Sequence, residues 1–594
     1  MSESDIRLPR WLLGVAALVC IAAGLALTLR PAASLDALVV LLGTALAGVG
    51  VAEIAGATRI RQRWLSVATG VIFLVGAAAV VAWPGATLSG LAPLTALTLI
   101  VGGIVKVLSG IRNGHRTSIA AGAASVTSIA AGAASVTSIA AGAASVIFGA
   151  VALSWPDATL LALAVLTGPV AVLFGFATGI RALRPTAHRP RRVAAVASVL
   201  ALVAALGSLA LSVRLNSERF TGPDAFYAAP ADVPDTSGVL LRSEPWTADG
   251  IPDDTRAWRI LYTTTRDEGV PAVASGVVVL PETSSPEPLP VLAWAHGTTG
   301  VAPKCAPSLS QEPYGTADAI LGAATANGWA VVATDYVGLG TEGPHPYLIG
   351  QGQGRSVLDS VRAAHQLVPA LELVPALDER TVVWGHSQGG NAALWTGILG
   401  PTYAPDVRLS GVAALSPATD LPGLVGYLAE IAGGAVFASY VADAYSRTYP
   451  DVDFAEVVAP EARTLAREDA GRCLGEGAIA VSVGTALAVP DILADGQPDE
   501  RFLHRLAENT PDGPIDVPVL IGQGAADPLI LESVQTGFVA KLCEQPRQID
   551  YRTYPGADHN SVIAAESPLV PELIEWTVGR FAGEAVDDEC GPIP

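Results

Sequence analysis

The residues able to do chemistry begin with Gly385-His386-Ser387-Gln388-Gly389, a G-x-S-x-G pentapeptide. Thr381, Val382, Val383 and Trp384 before it are β-branched or apolar and read as a short buried strand, and Asn391–Leu399 after it reads as a helix. A strand feeding a sharp turn feeding a helix lifts a serine hydroxyl to the carboxyl edge of a sheet. The two glycines are needed there because a Cβ would clash with the strand and helix on either side. Such a serine is a weak nucleophile until a base takes its proton, and the base needs a carboxylate to orient it. Two histidines follow Ser387. His504 falls in a segment that reads as helical, ahead of the point where the sheet resumes. His559 follows the strand Ile549–Tyr554 in the loop Pro555-Gly556-Ala557-Asp558-His559, where a base belongs. Asp527, after Val519-Leu520-Ile521-Gly522 and a Gly-rich turn, is the expected acid. Asp558 competes, but its adjacency to His559 points the two side chains apart. The tetrahedral intermediate of acyl transfer needs two backbone N–H donors. Gln388 is one candidate, and Gly297 in His296-Gly297-Thr298 is the other. His296 precedes the serine and reads as a residue that shapes this loop.

These residues require a sheet whose strand ends converge. Ala257–Thr265 and Ala272–Leu280 read as antiparallel-type strands, and Pro290–Ala295 as a buried strand. Helix Ala317–Asn327, strand Ala330–Asp335, helix Ser356–Leu367, the serine strand and strand Val412–Ser416 follow. Residues from about 422 to 515 interrupt the alternation and read as a helical cap. Strand Val517–Gly522, helix Leu529–Leu542, strand Ile549–Tyr554 and helix Val570–Phe581 complete it. This order is that of an α/β hydrolase: a mostly parallel sheet with a cap inserted after the sixth strand.

The runs HGTTGVAPKCAPSLS (296–310), TDYVGLG (334–340), GHSQGG, AADPLI, GADH and the terminal CGPIP resemble the secretory lipases of the fungal lipase A type and their actinobacterial relatives. The resemblance covers about 240–594, with the motifs in order. It implies a capped hydrolase of carboxylic esters, including acylglycerols, acting through an acyl-enzyme on Ser387, Asp527 and His559 with no metal or other cofactor. It also implies the bridges Cys305–Cys473 and Cys543–Cys590. That family is secreted free, whereas this domain is tethered. Rival readings on the same fold are a peptidase or an acyltransferase. A rival of another class is a membrane sensor or transport-related protein whose hydrolase-like domain merely binds ligand.

The tether is legible in composition. Residues 1–216 carry 15 basic and 5 acidic side chains; residues 217–594 carry 20 and 50. The first part is rich in Ala, Leu, Val and Gly, and the second is an acidic soluble domain. Nothing basic and aromatic suggests nucleic acid. Apolar runs long enough to cross a bilayer lie near Trp11–Leu29, Leu35–Ala57, Leu65–Trp83, Leu88–Ile111, Ser138–Trp155, Leu160–Ile180 and Val193–Val213. A cleavable signal peptide does not explain these runs, because six more follow the first. Arginines cluster before the first span, after the second and fourth, and between the sixth and seventh, while the alternate short loops carry one arginine in total. The N-terminus is therefore expected inside and the acidic domain outside a plasma membrane crossed about seven times. Four of the five cysteines lie in that domain, an even number that suits two disulfides in an oxidising compartment.

The membrane segment repeats itself. Arg30-Pro31-Ala32-Ala33-Ser34-Leu35, Trp83-Pro84-Gly85-Ala86-Thr87-Leu88 and Trp155-Pro156-Asp157-Ala158-Thr159-Leu160 occupy the same place in three successive hairpins. The decapeptide TSIAAGAASV occurs three times unchanged over 117–146, and removing two copies restores an even period. Three such hairpins resemble the HdeD-like membrane proteins over about residues 10–185, a resemblance that carries no catalytic motif. Asp36, Glu53 and Lys106 lie near span ends, where snorkelling accounts for them. Residues 217–240 are Pro/Ala/Asp-rich and read as an exposed linker to a hydrolase domain at 241–594.

Overall fold

The computed structural model describes residues 10–29, 84–120, 126–183, 191–217, 220–283, 286–372, 375–428, 433–486, 499–544 and 547–586, together with Cys590 and isolated positions (40, 47, 51, 71, 74, 75, 78, 430, 431 and 492–494). The chain divides into two compact units. One comprises Met1–Glu218, Pro460–Glu468 and Ala480–Val489, and the other Arg219–Ala459, Asp469–Ile479 and Pro490–Pro594.

The first unit contributes five long helices: α1 (Arg10–Leu29), α2 (Pro84–Ala120), α3 (Val126–Ser154), α4 (Pro156–Leu183) and α5 (Arg191–Ser217). Among the described residues, Gly90–Leu108, Val136–Ser154 and Ser198–Ser217 are long and apolar enough to cross a bilayer, and Ala17–Ala26 is a shorter apolar stretch. The expected spans 35–57 and 65–83 fall almost wholly outside the described residues. Pro84 and Pro156 each open a helix, where the missing N–H has no intrahelical partner to lose. Trp155, between α3 and α4, is buried and donates its indole N–H to Ser212 Oγ of α5 at 2.9 Å. The helices meet through small residues, which let two backbones approach closely. A Cβ on Gly103 of α2 would lie 2.6 Å from Gly142 O of α3, and one on Gly142 2.7 Å from Gly103 O. Gly142 belongs to the third decapeptide. The first decapeptide straddles the end of α2 and the start of α3.

The second unit is built on nine strands: β1 (Leu240–Trp246), β2 (Thr255–Thr265), β3 (Pro271–Pro281), β4 (Leu289–Ala295), β5 (Ala330–Thr334), β6 (Leu377–His386), β7 (Arg408–Leu415), β8 (Val519–Gly524) and β9 (Ile549–Tyr554). They form one sheet in the order β1-β2-β3-β5-β4-β6-β7-β8-β9. β1, β2 and β3 are antiparallel, β3 pairs antiparallel with β5, and every later pairing is parallel. β1 is absent from the sequence reading, because LLRSEPW has no clear alternation and every residue in it keeps some exposure. The interior strands β4, β5 and β8 are buried almost throughout on both faces, as continuous apolar runs demand, whereas β9 at the sheet edge mixes buried and partly exposed residues. Val383 of β6 joins the core on one side of the sheet, while Val382 and Trp384 join the core on the other. Helices α7 (Gly350–Ala370) and α8 (Gln388–Tyr403) cover the first side; α6 (Asp318–Ala326) and the C-terminal helix Leu569–Ala582 cover the second.

Among the described residues, six helices lie between β7 and β8, from Leu421–Leu428 to Glu500–Glu508. The segment read as an exposed linker needs correction. Phe226 and Tyr227 within it are buried and pack with Leu261 and Val273. Arg259 caps that contact, with its guanidinium 4.3 Å from the Phe226 ring centroid and hydrogen-bonded to Asp224 at 2.9 Å.

Candidate active site

The register sets the carboxyl ends of β4, β6 and β7 level: Ala295 lies beside Gly385, and Gly385 beside Ala414. Gly524, ending β8, pairs with Tyr554, ending β9. The loops carrying Gly297, Ser387, Asp527 and His559 therefore leave one edge of the sheet.

Ser387 sits between β6 and α8 at φ 57° and ψ −118°, a conformation that a non-glycine residue adopts only under constraint. Such strain costs on the order of 1–3 kcal/mol and persists where the surroundings over-determine it. Here Ser387 N donates to Leu415 O at 2.9 Å, and Ser387 O accepts from Asn391 N and Ala418 N, each at 3.2 Å. A Cβ on Gly385 would collide with Gly389 O, and one on Gly389 with Ala295 O, which is the clash expected of the elbow glycines.

His559 Nδ1 lies 2.7 Å from Asp527 Oδ2, with the aspartate side chain wholly buried. Asp527 Oδ1 accepts from the N–H groups of Leu529 and Ile530, each at 2.8 Å. Burial works to raise the Asp527 carboxyl, but the His559 hydrogen bond and charge, with those two N–H groups, hold it below its usual range. An ionised Asp527 fixes the imidazole proton on Nδ1, which leaves Nε2 as the basic nitrogen. Asp558 faces elsewhere. Its Oδ1 accepts from Asn560 N at 3.0 Å and Ser561 N at 2.7 Å, so it caps the next turn. His504 is an exposed residue of the helix Glu500–Glu508, paired with Glu508.

Ser387 and His559 line a single cavity of about 680 Å³ together with His296, Gly297 and Thr298. Gly297 is close to the serine, since a Cβ on it would lie 3.8 Å from Ser387 Cβ. Gln388 opens α8, and the first N–H groups of a helix have no partner within it. Ile431 and Phe437 of the cap, with Leu529 and Ile563, supply apolar lining. Among the described residues no cluster of three or more His, Cys, Asp or Glu could hold a metal ion.

Two histidines that the sequence reading left unused support this edge. His386 Nε2 lies 2.7 Å from the backbone O of His559, and the two rings are 4.8 Å apart. Burial, and then the nearby His559, push His386 down to about 3, so it is neutral and donates to that carbonyl. His345 accepts the Gln388 side-chain N–H at 3.0 Å and donates Nδ1–H to Val337 O at 3.2 Å. Burial pushes His345 down to about 3 as well. His296, pushed down by burial to about 4, is neutral and carries one N–H; its Nδ1 lies 2.6 Å from Gly297 O of its own loop, the shorter contact, and its Nε2 3.3 Å from Asp335 O beyond β5. Nothing in the local pattern marks His345, which lies 43 residues from its partner.

Disulfides join Cys305 to Cys473 and Cys543 to Cys590. The first ties the stretch after the Gly297 loop to the cap. Beside it, Lys304 Nζ meets the buried Glu476 carboxylate at 2.6 Å.

Residues 314–588 match the family model described as Secretory lipase. Residues 15–80, 68–137 and 140–210 each match a Short repeat of unknown function (DUF308), and each match contains one of Pro31, Pro84 and Pro156. A probable inactive lipase of Mycobacterium tuberculosis is 27% identical over 388 residues, covering 61% of this chain and 83% of that protein. The secreted triacylglycerol lipase LIP2 of Malassezia globosa is 25% identical over 424 residues, covering 66% and 89%. Candida antarctica lipase A in its closed state aligns with TM-score 0.51 at 19% identity, covering 62% of this chain and 89% of that one. That likeness shows the α/β-hydrolase fold.

Proposed function

We propose that this chain is a membrane-anchored serine hydrolase of carboxylic esters, a lipase or carboxylesterase working outside the cytoplasm. The observation that carries the reading is the 2.7 Å Asp527–His559 hydrogen bond, with His559 lining the same cavity as Ser387. Ser387 Oγ attacks the ester carbonyl while His559 Nε2 takes its proton. Asp527 holds the ring and stabilises the imidazolium. The N–H groups of Gln388 and Gly297 receive the oxyanion. His559 then returns the proton to the leaving alcohol, and water releases the acid from the acyl-enzyme by the same steps. Lipid esters or small acyl esters suit the apolar part of the cavity.

Two features favour catalysis over simple ligand binding. A serine held at positive φ is a cost that a binding pocket has no need to bear. One relative is named a probable inactive lipase, yet the nucleophile, base and acid are all present here. The match to a secretory family and the arginine-rich inner loops both support an external hydrolase domain.

The test is ester hydrolysis by the full chain in detergent. Ser387→Ala and His559→Ala are expected to abolish turnover, and Asp527→Asn to lower it by about 10⁴-fold. Asp558→Ala is expected to be mild. Near-normal turnover in Ser387→Ala would overturn the assignment.

A further inference from the structure

Thr298 and Tyr347 face each other beside the nucleophile, with Oγ1 and Oη 2.9 Å apart. Both line a small space of about 20 Å³ together with Ser387 and Gln388, and these four are its only polar lining residues. A space of that size admits one water-sized group. Thr298 lines the larger cavity as well, and it is partly exposed where Tyr347 is buried.

Each hydroxyl brings one proton, and the hydrogen bond between them uses only one. Among the described residues neither hydroxyl has another partner. A phenol is the stronger donor and an alkyl hydroxyl the stronger acceptor, so Tyr347 donates and the Thr298 proton is left over. Burial pushes the Tyr347 phenol far above its usual range, against the lowering by its bond to Thr298, so it keeps the proton it donates. The same pairing recurs in the core with both protons used. Tyr227 Oη lies 2.8 Å from Ser308 Oγ, and Ser308 donates onward to the Asp335 carboxylate. For Thr298 the place of that carboxylate is taken by the space beside Ser387. The pose is over-determined. Leu348, next to Tyr347, lies at φ 54°, and Tyr445 Oη donates to its carbonyl at 2.8 Å. Tyr440 of the cap helix Gly434–Thr448 packs edge-on against the Tyr347 ring, with centroids 5.9 Å apart.

Resting on the reading of Ser387 as the nucleophile, we propose that Thr298 is a catalytic residue whose Oγ1–H is a third donor to the oxyanion, beside the N–H groups of Gln388 and Gly297. Tyr347 is the positioning residue that turns this hydrogen toward the oxyanion. Thr298 keeps its proton throughout. Negative charge develops on the carbonyl oxygen only as the transition state is reached, so the bond strengthens there and acts on kcat more than on KM.

The test is steady-state hydrolysis of p-nitrophenyl butanoate by the full chain in detergent, with inhibition by a trifluoromethyl ketone of matched chain length, which forms an oxyanion-bearing adduct with a serine. Thr298→Ala is expected to lower kcat about 10²-fold with KM changed by less than about twofold. Thr298→Ser differs from it by the hydroxyl alone and is expected to stay within about threefold of wild type. The inhibition constant of the ketone is expected to rise in Thr298→Ala by the factor by which kcat/KM falls. Tyr347→Phe is expected to lower kcat about fivefold, and less than about twofold when Thr298→Ala is already present. Equal kcat in Thr298→Ala and Thr298→Ser would overturn the proposal. So would a rise in KM alone, which would mark Thr298 as a binder of the unreacted ester. Should Thr298→Ala fail to fold, Thr298→Val, which keeps the shape of threonine, takes its place in the comparison. Ser387→Ala separates the two readings. If it keeps turnover, the nucleophile is misassigned and the role of Thr298 falls with it. If it is inactive while Thr298→Ala and Thr298→Ser match, the role of Thr298 falls alone.

Discussion

At the residue scale, three buried neutral histidines cluster around the strand ends. His386 braces the loop of His559, His296 contacts Gly297 within its own loop, and His345 anchors the side chain of Gln388, next to Ser387. The last role has a measurable signature. His345 titrates at about 3 in the folded chain, against an ordinary value near 6.5. Between those values the unfolded chain binds a proton that the folded chain refuses, so this contribution to stability falls as pH drops below about 6.5. In His345→Asn, one amide replaces both hydrogen-bonding functions and cannot titrate. The stability advantage of wild type over this variant is therefore expected to shrink by about 1.5 kcal/mol between pH 6.5 and pH 5. Urea midpoints of the full chain, followed by tryptophan fluorescence at both pH values, check it. A constant gap would mean that His345 takes up its proton in the fold as readily as in the unfolded chain.

At the element scale, glycine shapes what the pattern obscures. α7 begins at Gly350, six residues before the expected start, because the glycines of its first turns are close-packing positions rather than breakers. A Cβ on Gly350 would strike the Trp395 ring of α8, and one on Gly354 would lie 3.1 Å from Thr396 N. In the first unit, the third decapeptide supplies the Gly142 that meets Gly103. The apolar windows Gly90–Leu108 and Val136–Ser154 bracket the other two copies, so of residues 117–136 all but Val136 lie outside both. Deleting 117–136 joins Arg116 to Thr137 and leaves SGIRNGHR (109–116) as the turn. Eight extended residues reach up to about 26 Å. The mismatch they must absorb is about 12 Å: Arg116 lies about 20 Å beyond Gly103, and Thr137 about 7.5 Å beyond Gly142, at 1.5 Å per helical residue. The deletion is expected to leave membrane insertion and ester hydrolysis intact. Loss of the protein from the membrane fraction, or movement of the hydrolase domain to the other side, would refute a neutral duplication.

At the scale of the whole molecule, the charge division makes a prediction about location. Residues 1–216 are net basic and residues 217–594 strongly acidic, with the arginines of the first part concentrated before the first apolar run, after the second and fourth, and between the sixth and seventh. Protease added to intact cells is expected to degrade or release the acidic domain; protection until lysis would mean an even number of crossings. The sequence by itself determined the chemistry available and its order. The serine turn is written in adjacent residues, the alternation of strand and helix in short-range periodicity, and the membrane segment in runs of apolar residues. Each of these depends on neighbours within a turn or two of chain. Only the tertiary structure shows the contact between His559 and the carboxylate that the sequence favoured. Asp527 is 32 residues away and reaches it because β8 and β9 end side by side, while adjacent Asp558 is drawn off by the backbone N–H groups of its own turn. It also decided which polar atoms go without partners. The indole N–H of Trp294 looks like that of Trp384 in the sequence, since both sit near the end of a buried strand, but only the packed sheet sets Thr577 against Trp384 and leaves the indole N–H of Trp294 without a hydrogen-bond partner.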